Sequence, residues 1–204
     1  MHLIDQRFLG IIILCLLGAL VAVKVRATGS ILEKPAGGAF PQLVNYFNLF
    51  FLLVVNPCAG ISWVARSLEQ IDPTHIVIID QGILLSVEAL GLVLYLIGLA
   101  LMAWALIILG RNYQLGGTAP RPQDHLVMVG PYRFIRHPMY TAALSIALGL
   151  ACLSQSGAFL AVFCIYLVLI SVLIPREEEA LRQAYLNEYR LYQNQSRTLV
   201  PFIY

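Results

Sequence analysis

Long stretches without a charged side chain alternate with short polar segments along this chain. The uncharged stretches cover residues 8–23, 35–65, 89–110 and 137–175, and Val25 extends the first of them past Lys24. A helix needs about 20 largely apolar residues to cross the hydrocarbon core of a membrane. The first three stretches therefore predict one membrane-spanning helix each.

The fourth uncharged stretch is too long for a single span. A straight helix over its 39 residues would be about 60 Å long at about 1.5 Å per residue, which is twice the thickness of the membrane core. The sequence SQSG at 154–157 interrupts it near the middle. We therefore predict a tight helical hairpin of two short spans, residues 138–153 and 157–174. Together these stretches predict an all-α integral membrane protein with five transmembrane helices.

The lysines and arginines give the orientation of these spans. With five spans, all but two of the basic residues lie on one side of the membrane, and Arg7 and Arg66 lie on the other side. The larger group is Lys24, Arg26, Lys34, Arg111, Arg121, Arg133, Arg136, Arg176, Arg182, Arg190 and Arg197. Positive charge in short loops stays on the cytoplasmic side. We therefore predict that the amino terminus lies outside and the carboxyl terminus in the cytoplasm.

The first apolar run resembles a signal peptide in length, but its flanks do not fit one. Lys24 and Arg26 follow the run, and no A-x-A cleavage site comes after it. Signal peptides carry their positive charge before the apolar region and small residues behind it. We therefore interpret this run as a retained span, with cleavage as the alternative.

The amino-acid composition excludes several classes of protein. Hydrophobic residues make up 59% and charged residues 12% of the 204-residue chain, and the mean hydropathy is +0.79. Disordered, collagen-like and disulfide-stapled chains do not have this balance. The four cysteines lie in apolar runs without a C-x-x-C pair, and no phosphate-binding glycine motif is present. We therefore expect no metal site, no redox pair and no nucleic-acid partner.

Two polar segments at the predicted cytoplasmic ends of the spans form the candidate site. They are DHLVMVGPYRFIRHPMY at 124–140 and PREEEALRQAYLNEYRLY at 175–192. The predicted hairpin joins them, so its two cytoplasmic ends should bring residues 136–138 close to residues 176–178. Chemistry in a protein of this kind is expected where such polar side chains meet.

Each of these segments also predicts the start of a helix. Pro138 suits the first helical position, where its missing N–H costs nothing. His137 then lies at the cap, where free backbone N–H groups favour an anion. In the second segment we expect Pro175 to begin an interfacial amphipathic helix on the cytoplasmic face. Its first turn would hold Glu177 and Glu178, as the helix dipole favours.

The residues alone leave a purely structural interpretation open. An Arg-His pair at the end of a span is often only an anchor, and tyrosine is enriched at membrane interfaces in general. Glu88 is a separate case, because a carboxylate inside a span is a functional candidate by default. It lies about one helical turn from the outer end of its span, so we favour snorkelling or helix–helix hydrogen bonding for it.

The sequence motifs nevertheless point to a known group of enzymes. GPYRFIRHPMY at 130–140, an apolar hairpin, EEEALRQAYLNEYRLY at 177–192 and the closing Leu199–Phe202 resemble the isoprenylcysteine carboxyl methyltransferase family. That family belongs to a wider group of membrane methyltransferases that includes phospholipid N-methyltransferases. The resemblance covers residues 110–204, which we expect to form the catalytic region, and residues 1–109 would form three further spans.

The resemblance implies a cytoplasm-facing pocket for S-adenosylmethionine and a membrane lipid, prenylated or otherwise apolar methyl acceptor. The cofactor-binding positions that it implies are Leu126, Val127, Tyr132, His137, Pro138, Met139, Tyr140, Glu177 and Glu178. His137 and Arg136 are the candidate catalytic residues. The pair suits the cofactor carboxylate, and His137 is the nearest base for an amine or thiol acceptor.

One position departs from the family pattern. The prenylcysteine enzymes carry an arginine one helical turn before the first glutamate of the pair, where it meets the substrate carboxylate. Leu173 stands there in this chain. The resemblance therefore leaves open whether the acceptor is a prenylcysteine carboxylate or a phospholipid amine.

Two other functions remain as alternatives. Sterol-type reductases share a similar carboxyl-terminal architecture and bind NADPH, but they typically have asparagine where this chain has Met139, and they lack the E-E-x-x-L run at 177–181. A non-catalytic membrane scaffold would use the same polar residues only to anchor its spans. Binding of S-adenosylmethionine or of NADPH separates these alternatives.

Overall fold

A computed structural model describes residues 4–30, 38–113, 120–121 and 124–199 of the chain. The α-helices are α1 (Gln6–Thr28), α2 (Ala39–Phe50), α3 (Asn56–Val64), α4 (Leu68–Ile71), α5 (Gln81–Leu109), α6 (Pro138–Ser154) and α7 (Gly157–Gln195). A π-helical turn, Phe51–Val55, joins α2 to α3, and 3₁₀ turns cover Gly110–Asn112 and Gly130–Arg133. In this part of the chain no β-strand forms, so the predicted all-helical character is confirmed.

Four helical segments are long and apolar enough to cross a membrane. They are Gln6–Thr28, Ala39–Val64, Gln81–Asn112 and Gly157–Gln195, and Pro138–Ser154 is a shorter apolar helix. The second segment is continuous because the π-helical turn carries α2 directly into α3. These lengths identify a multi-pass membrane protein.

Aspartate side chains cap the starts of α1 and α5. The Asp5 carboxylate accepts hydrogen bonds from the backbone N–H groups of Arg7 and Phe8 at the start of α1. Asp80 accepts from Ile83 N at 2.8 Å at the start of α5. Such caps satisfy backbone donors that have no partner inside the helix. The starts of α1 and α5 are therefore fixed locally, by the aspartate that precedes each helix.

Helices α5 and α6 pack closely because glycines line their contact. A Cβ atom added to Gly149 would lie 2.6 Å from the backbone nitrogen of Tyr95, and one added to Gly98 would lie 2.8 Å from the carbonyl oxygen of Ala142. Small residues let helix backbones approach in this way inside a membrane. This contact holds α6 against the 29-residue helix α5.

Polar contacts gather at two separate ends of the helix bundle. At one end Arg66 forms an ion pair with Asp5 at 2.6 Å. At the same end Gln155, in the turn between α6 and α7, donates to Glu88 Oε1 at 3.1 Å. Glu88 is only 4% exposed, so it bonds between helices and does not snorkel to the surface. The other end holds the candidate site.

Helix α7 differs from the expectation at Pro175. The sequence predicts that a helix begins there, but α7 continues through Pro175 and is interrupted only at Leu186, where φ is 48° and ψ is −118°. A proline inside a helix removes one backbone hydrogen bond and need not end it. The positive φ at Leu186 turns the chain, and both Tyr189 and Tyr192 beyond it are buried.

Candidate functional site

A cavity of about 310 Å³ lies between the polar segments and the neighbouring helices. Small-molecule sites in proteins typically occupy about 300–1,000 Å³. Its wall combines residues 124–140, the carboxyl-terminal half of α7 and parts of α1, α2 and α5. The cavity is therefore large enough for a ligand of drug or nucleoside size.

Nearly all residues that the sequence singled out lie on this wall. The lining includes Leu126, Val127, Tyr132, Arg136, His137, Pro138, Met139, Tyr140 and Glu177. Glu178 is not among the lining residues. It is buried directly behind the wall, where its carboxylate contacts both Arg136 and His137.

The Arg136–His137 segment is held by the chain that follows α7. Arg197 N donates to Phe134 O at 3.0 Å, Arg136 N donates to Arg197 O at 2.7 Å, and His137 N donates to Thr198 O at 3.1 Å. These backbone hydrogen bonds form a short parallel bridge between two loops. Segments about 60 residues apart along the chain therefore fix each other at the cavity.

Tyr132 is positioned by a tight turn and by a side-chain hydrogen bond from α7. The turn Gly130–Arg133 requires a positive φ of 61° at Gly130, and a Cβ atom there would lie 2.8 Å from Ile108 Cγ1. The Tyr192 hydroxyl donates to Tyr132 O at 2.6 Å. Tyr132 itself is buried. Helix α7 thus supports the turn that presents Tyr132 to the cavity.

Arg136 is engaged almost entirely by the protein itself. Its Nε lies 2.7 Å from Glu178 Oε1, and its side chain is 10% exposed. The other guanidinium nitrogens donate to the carbonyl oxygens of Gln193 at 3.3 Å and Ser196 at 2.6 Å, and to Thr198 Oγ1 at 2.8 Å. Arg136 therefore ties α7 and the following loop to the start of α6.

His137, Tyr140 and the two glutamates form a connected group. His137 Nδ1 lies 3.4 Å from Glu177 Oε2, and His137 Nε2 lies 3.4 Å from Glu178 Oε1. The Tyr140 hydroxyl donates to Glu177 Oε1 at 2.6 Å. The rings of His137 and Tyr140 stack at 5.7 Å. The first turn of α6 and the E-E pair of α7 therefore meet, as the sequence predicts.

The charge of this group follows from its surroundings. Burial by itself lowers the pKa of His137, but the hydrogen bonds and negative charges of Glu177 and Glu178 outweigh it, and the pKa lies above its ordinary value. The imidazolium form donates from both ring nitrogens. The two carboxylates therefore favour the protonated form of His137, in which it cannot accept a proton.

The remaining wall offers contacts of several chemical kinds. Asp124 carries a carboxylate that accepts from Arg121 N at 2.9 Å. Tyrosine rings can face a cation, an attraction worth about 0.5–2 kcal/mol. The His137 side chain makes no capping hydrogen bond at the start of α6, so the first turn offers backbone donors to an anion. No group of three or more metal-ligating side chains occurs within the described ranges.

Sequence reasoning missed the part of the wall formed by the first two spans. Lys24 of α1 and Asn45 and Asn48 of α2 line the cavity together with apolar neighbours. Lys24 ends the first apolar run, and Asn45 and Asn48 are polar side chains inside the second run. Polar residues in these positions are the signal that could have found them. The cavity is therefore lined both by residues before position 110 and by residues after it.

The closing motif is only partly described. The Thr141 hydroxyl donates to Leu199 O at 2.5 Å, which joins the end of the described chain to α6. Residues 200–202, the rest of that motif, lie outside the described residues.

Comparison with known proteins gives two results. A family model for phospholipid methyltransferase matches residues 87–188, which is half of the chain. Two curated rice proteins, from Oryza sativa subspecies indica and japonica, are each named probable protein-S-isoprenylcysteine O-methyltransferase. Each is 31% identical to this chain over 119 residues, covering 57% of this chain and 62% of the relative. The match thus spans less than two thirds of these relatives. Residues 87–188, which the family model matches, include most of the cavity wall.

Proposed function

The chain belongs to the phospholipid methyltransferase family, and from this membership we propose that it is an integral membrane, S-adenosylmethionine-dependent methyltransferase. Its acceptor would be a lipidic or otherwise apolar molecule. The observation that carries the proposal is a single cavity in which the R-H-P-x-Y segment and Glu177 meet apolar helix surfaces. Polar chemistry and a lipid-compatible wall are thereby joined in one site.

The residues of the cavity fit the groups of S-adenosylmethionine. The apolar side chains of Leu126 and Val127 suit the adenine ring, and the carboxylate of Glu177 suits the ammonium group or the ribose hydroxyls. The exposed start of α6 suits the carboxylate. The Tyr132 ring is available to the sulfonium cation. When bound, this cofactor supplies an electrophilic methyl group on its sulfonium.

The protein's contribution to the transfer would be position and exclusion of water. Tyr140 and His137 hold the Glu177 carboxylate by contacts at 2.6 Å and 3.4 Å, which fixes the polar side of the cavity. A carboxylate acceptor needs no base at neutral pH because its ordinary pKa is near 4. For an amine or thiol acceptor His137 would act as base only above its raised pKa. Arg136 would position His137 through Glu178.

The comparisons suggest two classes of methyl acceptor. The names of the rice relatives suggest an isoprenylcysteine, and the family description suggests a phospholipid amine. Transfer of radiolabelled methyl groups from S-adenosylmethionine into total lipid and prenylated-protein extracts, followed by chromatography, distinguishes them. Label in neither extract would contradict a lipidic acceptor.

We further propose that α6 is the fifth crossing and that it pairs with α7 as a hairpin. Its start contacts Glu177, and the turn after its end contacts Glu88 at the opposite end of the bundle. Its 17 residues span about 25 Å at about 1.5 Å per residue, and a membrane adapts to a slightly short span by local thinning. The positive-inside rule then puts the cavity and the end of α7 at the cytoplasmic face.

Calorimetric titration of the purified protein in detergent tests the cofactor. We expect S-adenosylmethionine and S-adenosylhomocysteine to bind and NADPH not to bind. Glu177→Gln should raise both dissociation constants at least about tenfold, since hydrogen bonds to a charged group contribute about 1.5–3 kcal/mol. Glu179→Gln is the matched control, because Glu179 is exposed and pairs with Arg182 at 2.8 Å. Binding of NADPH alone, or equal effects of the two variants, would contradict the proposal.

A further inference from the structure

Two of the three asparagines in the second span are engaged by neighbouring helices. Asn56 is satisfied at both ends of its side-chain amide, because its Nδ2 donates to Phe51 O and its Oδ1 accepts from the Tyr95 hydroxyl, each at 3.1 Å. Asn48 interacts with Tyr166 of α7. Polar contacts of this kind hold helices together inside a membrane, so these two amides have a structural task.

The third asparagine, Asn45, has no such partner for its side-chain carbonyl. Its Nδ2 donates to Pro41 O, one turn earlier in the same helix, at 2.6 Å. Within the described part of the chain no donor forms a hydrogen bond with its Oδ1. Asn45 is only 4% exposed, yet it lines the cavity. The N–H end of the amide is therefore committed to α2, and the carbonyl end is left to the cavity.

The spacing of its neighbours places Asn45 on the inner face of the helix. Residues at positions i, i+3, i+4 and i+7 share one face of a helix. The residues of the second span that line the cavity with this spacing are Asn45, Asn48, Leu49 and Leu52. Another face carries the exposed side chains Leu43, Tyr46 and Phe50. The inner stripe thus runs from two amides to two leucines, and all of it precedes position 87, where the family match begins.

A buried carbonyl without a donor has a defined chemical complement. Buried polar groups in proteins are nearly always hydrogen-bonded, and an unpaired one in an apolar wall costs free energy. A site that offers such a group rejects an analogue that lacks the donor, because the analogue leaves the group unpaired. Leu49 and Leu52 add no polar requirement of their own. The stripe therefore fits a ligand in which an N–H or O–H group adjoins a hydrocarbon chain.

We propose that Asn45 is a specificity-determining residue for the methyl acceptor, and that its side-chain carbonyl accepts a hydrogen bond from an N–H or O–H group of that acceptor. The adjoining hydrocarbon chain lies against Leu49 and Leu52. This inference rests on the proposed function, because it assigns this wall to the acceptor of that reaction. It concerns how the acceptor is held and not which of its atoms receives the methyl group. A hydroxyl or amino group of the cofactor is the other possible donor, and the experiment separates the two.

The test measures binding of two matched pairs of radiolabelled, uncharged C16 amphiphiles to the purified full chain in nonionic detergent. Hexadecanamide is compared with N,N-dimethylhexadecanamide, and hexadecanol with hexadecyl methyl ether. Only the first member of each pair is a hydrogen-bond donor. The donor preference is the dissociation constant of the probe without a donor divided by that of its partner. Partition of the probes into micelles is the same for every protein, so it cancels when donor preferences are compared between variants.

The proteins compared are wild type, Asn45→Leu, Asn45→Ser and the matched control Gln42→Leu. Gln42 lies nearly one turn before Asn45 in α2 and does not line the cavity. Asn45→Leu should lower the donor preference at least about fivefold, which corresponds to one neutral hydrogen bond. Asn45→Ser should retain most of it, because a helical serine donates to the carbonyl one turn earlier and keeps its lone pairs. Gln42→Leu should change it less than about twofold.

Three results would overturn the inference: equal donor preferences in wild type and Asn45→Leu, an equal loss in Gln42→Leu, or no binding of any probe by wild type. S-adenosylhomocysteine is titrated separately into each protein, and its affinity should change less than about twofold. A loss of S-adenosylhomocysteine affinity of about fivefold in Asn45→Leu, with an unchanged donor preference, would assign Asn45 to the cofactor instead.

Thermal unfolding separates recognition of a ligand from a structural role. Asn56→Leu leaves the Phe51 carbonyl and the Tyr95 hydroxyl without their partner, so it should lower the midpoint of unfolding and keep the donor preference. Asn45→Leu removes a carbonyl that has no partner, so its midpoint should not fall. A fall as large as that in Asn56→Leu would contradict the assignment of Asn45.

The two proposals can fail separately. If wild type does not bind S-adenosylhomocysteine, the proposed cofactor is wrong, yet probe binding still reports whether Asn45 selects a donor. If Asn45→Leu does not fold, Asn45→Ala, which adds no bulk, takes its place in every comparison.

Discussion

The neighbouring tyrosines Tyr189 and Tyr192 should respond differently to the same Tyr→Phe substitution, as measured by thermal stability. The two rings are in edge contact at 5.9 Å, and both side chains are buried beside the cavity. The Tyr192 hydroxyl donates to Tyr132 O at 2.6 Å. The Tyr189 hydroxyl is buried and has no hydrogen-bond partner within the described part of the chain. Replacing each tyrosine by phenylalanine therefore removes a bonded hydroxyl in one variant and an unsatisfied one in the other.

The magnitudes follow from what each change leaves behind. Tyr192→Phe leaves the buried Tyr132 carbonyl without its donor, which costs about 1–3 kcal/mol. Tyr189→Phe leaves nothing unsatisfied, so its stability should be unchanged or up to about 1 kcal/mol higher. For a chain of this size 1 kcal/mol corresponds to about 2–4 °C in the midpoint of thermal unfolding. We expect Tyr192→Phe to lower the midpoint and Tyr189→Phe to keep or raise it.

The assay is thermal unfolding of both variants in the same detergent, followed by circular dichroism at matched concentration. Tyr192→Phe should also weaken S-adenosylhomocysteine binding, because it releases the turn that carries Tyr132. Equal destabilisation by the two substitutions would show that the Tyr189 hydroxyl has a partner, and it would refute this account of how α7 supports the site.

Three further predictions address packing, pH and specificity. Gly149→Ala should destabilise the protein by about 1–3 kcal/mol through the contact with the Tyr95 backbone, whereas Gly18→Ala, with no atom near the added methyl, should leave the thermal midpoint unchanged or raise it. The pKa of His137 in the folded state is raised above 6.5. The stability that its protonated form contributes is therefore full below about pH 6.5 and is lost as pH rises through the folded-state pKa. The midpoint of thermal unfolding should fall with rising pH over that range in wild type and less so in His137→Gln. Leu173→Arg should lower stability and should not create prenylcysteine methylation, since Leu173 is fully buried in the apolar core and does not line the cavity. Transfer of labelled methyl groups to a prenylcysteine by the folded fraction of the variant measures the second expectation.

The amino-acid sequence predicts the parts of the fold that depend on local pattern. Runs without charge determine where the spans lie, and capping residues such as Asp80 and Ser156 define their starts. The SQSG interruption predicts that the chain reverses after α6. The resulting contact between positions 137 and 178 is observed at 3.4 Å. The starts of the helices and the interruption at SQSG are decided by residues that are neighbours in sequence, and the contact between positions 137 and 178 is the long-range contact expected if the chain reverses there.

Other features depend on partners that the sequence does not bring together. A proline usually suggests a helix start, yet α7 continues through Pro175, where one hydrogen bond is lost. Leu173 and Ile174 before the proline and Glu178 after it are buried, and their packing maintains the helix. The contribution of Lys24 to the cavity requires α1 to pack beside the carboxyl-terminal segments, and no local pattern encodes that. The same holds for Arg136, whose acceptors Ser196 and Thr198 lie about 60 residues away. Tertiary packing, and not propensity, decides these positions.

The adjacent glutamates of α7 show how a short motif can carry two separate tasks. Successive residues on a helix point about 100° apart, so two neighbouring carboxylates cannot face the same ligand in the same way. Glu177 lines the cavity, where Tyr140 holds it. Glu178 faces away and binds Arg136 and Gln193, while His137 lies between the two carboxylates. A single glutamate would leave either the Tyr140 hydroxyl or the Arg136 cation without its carboxylate partner, which gives a physical reason for a pair at this point of the helix.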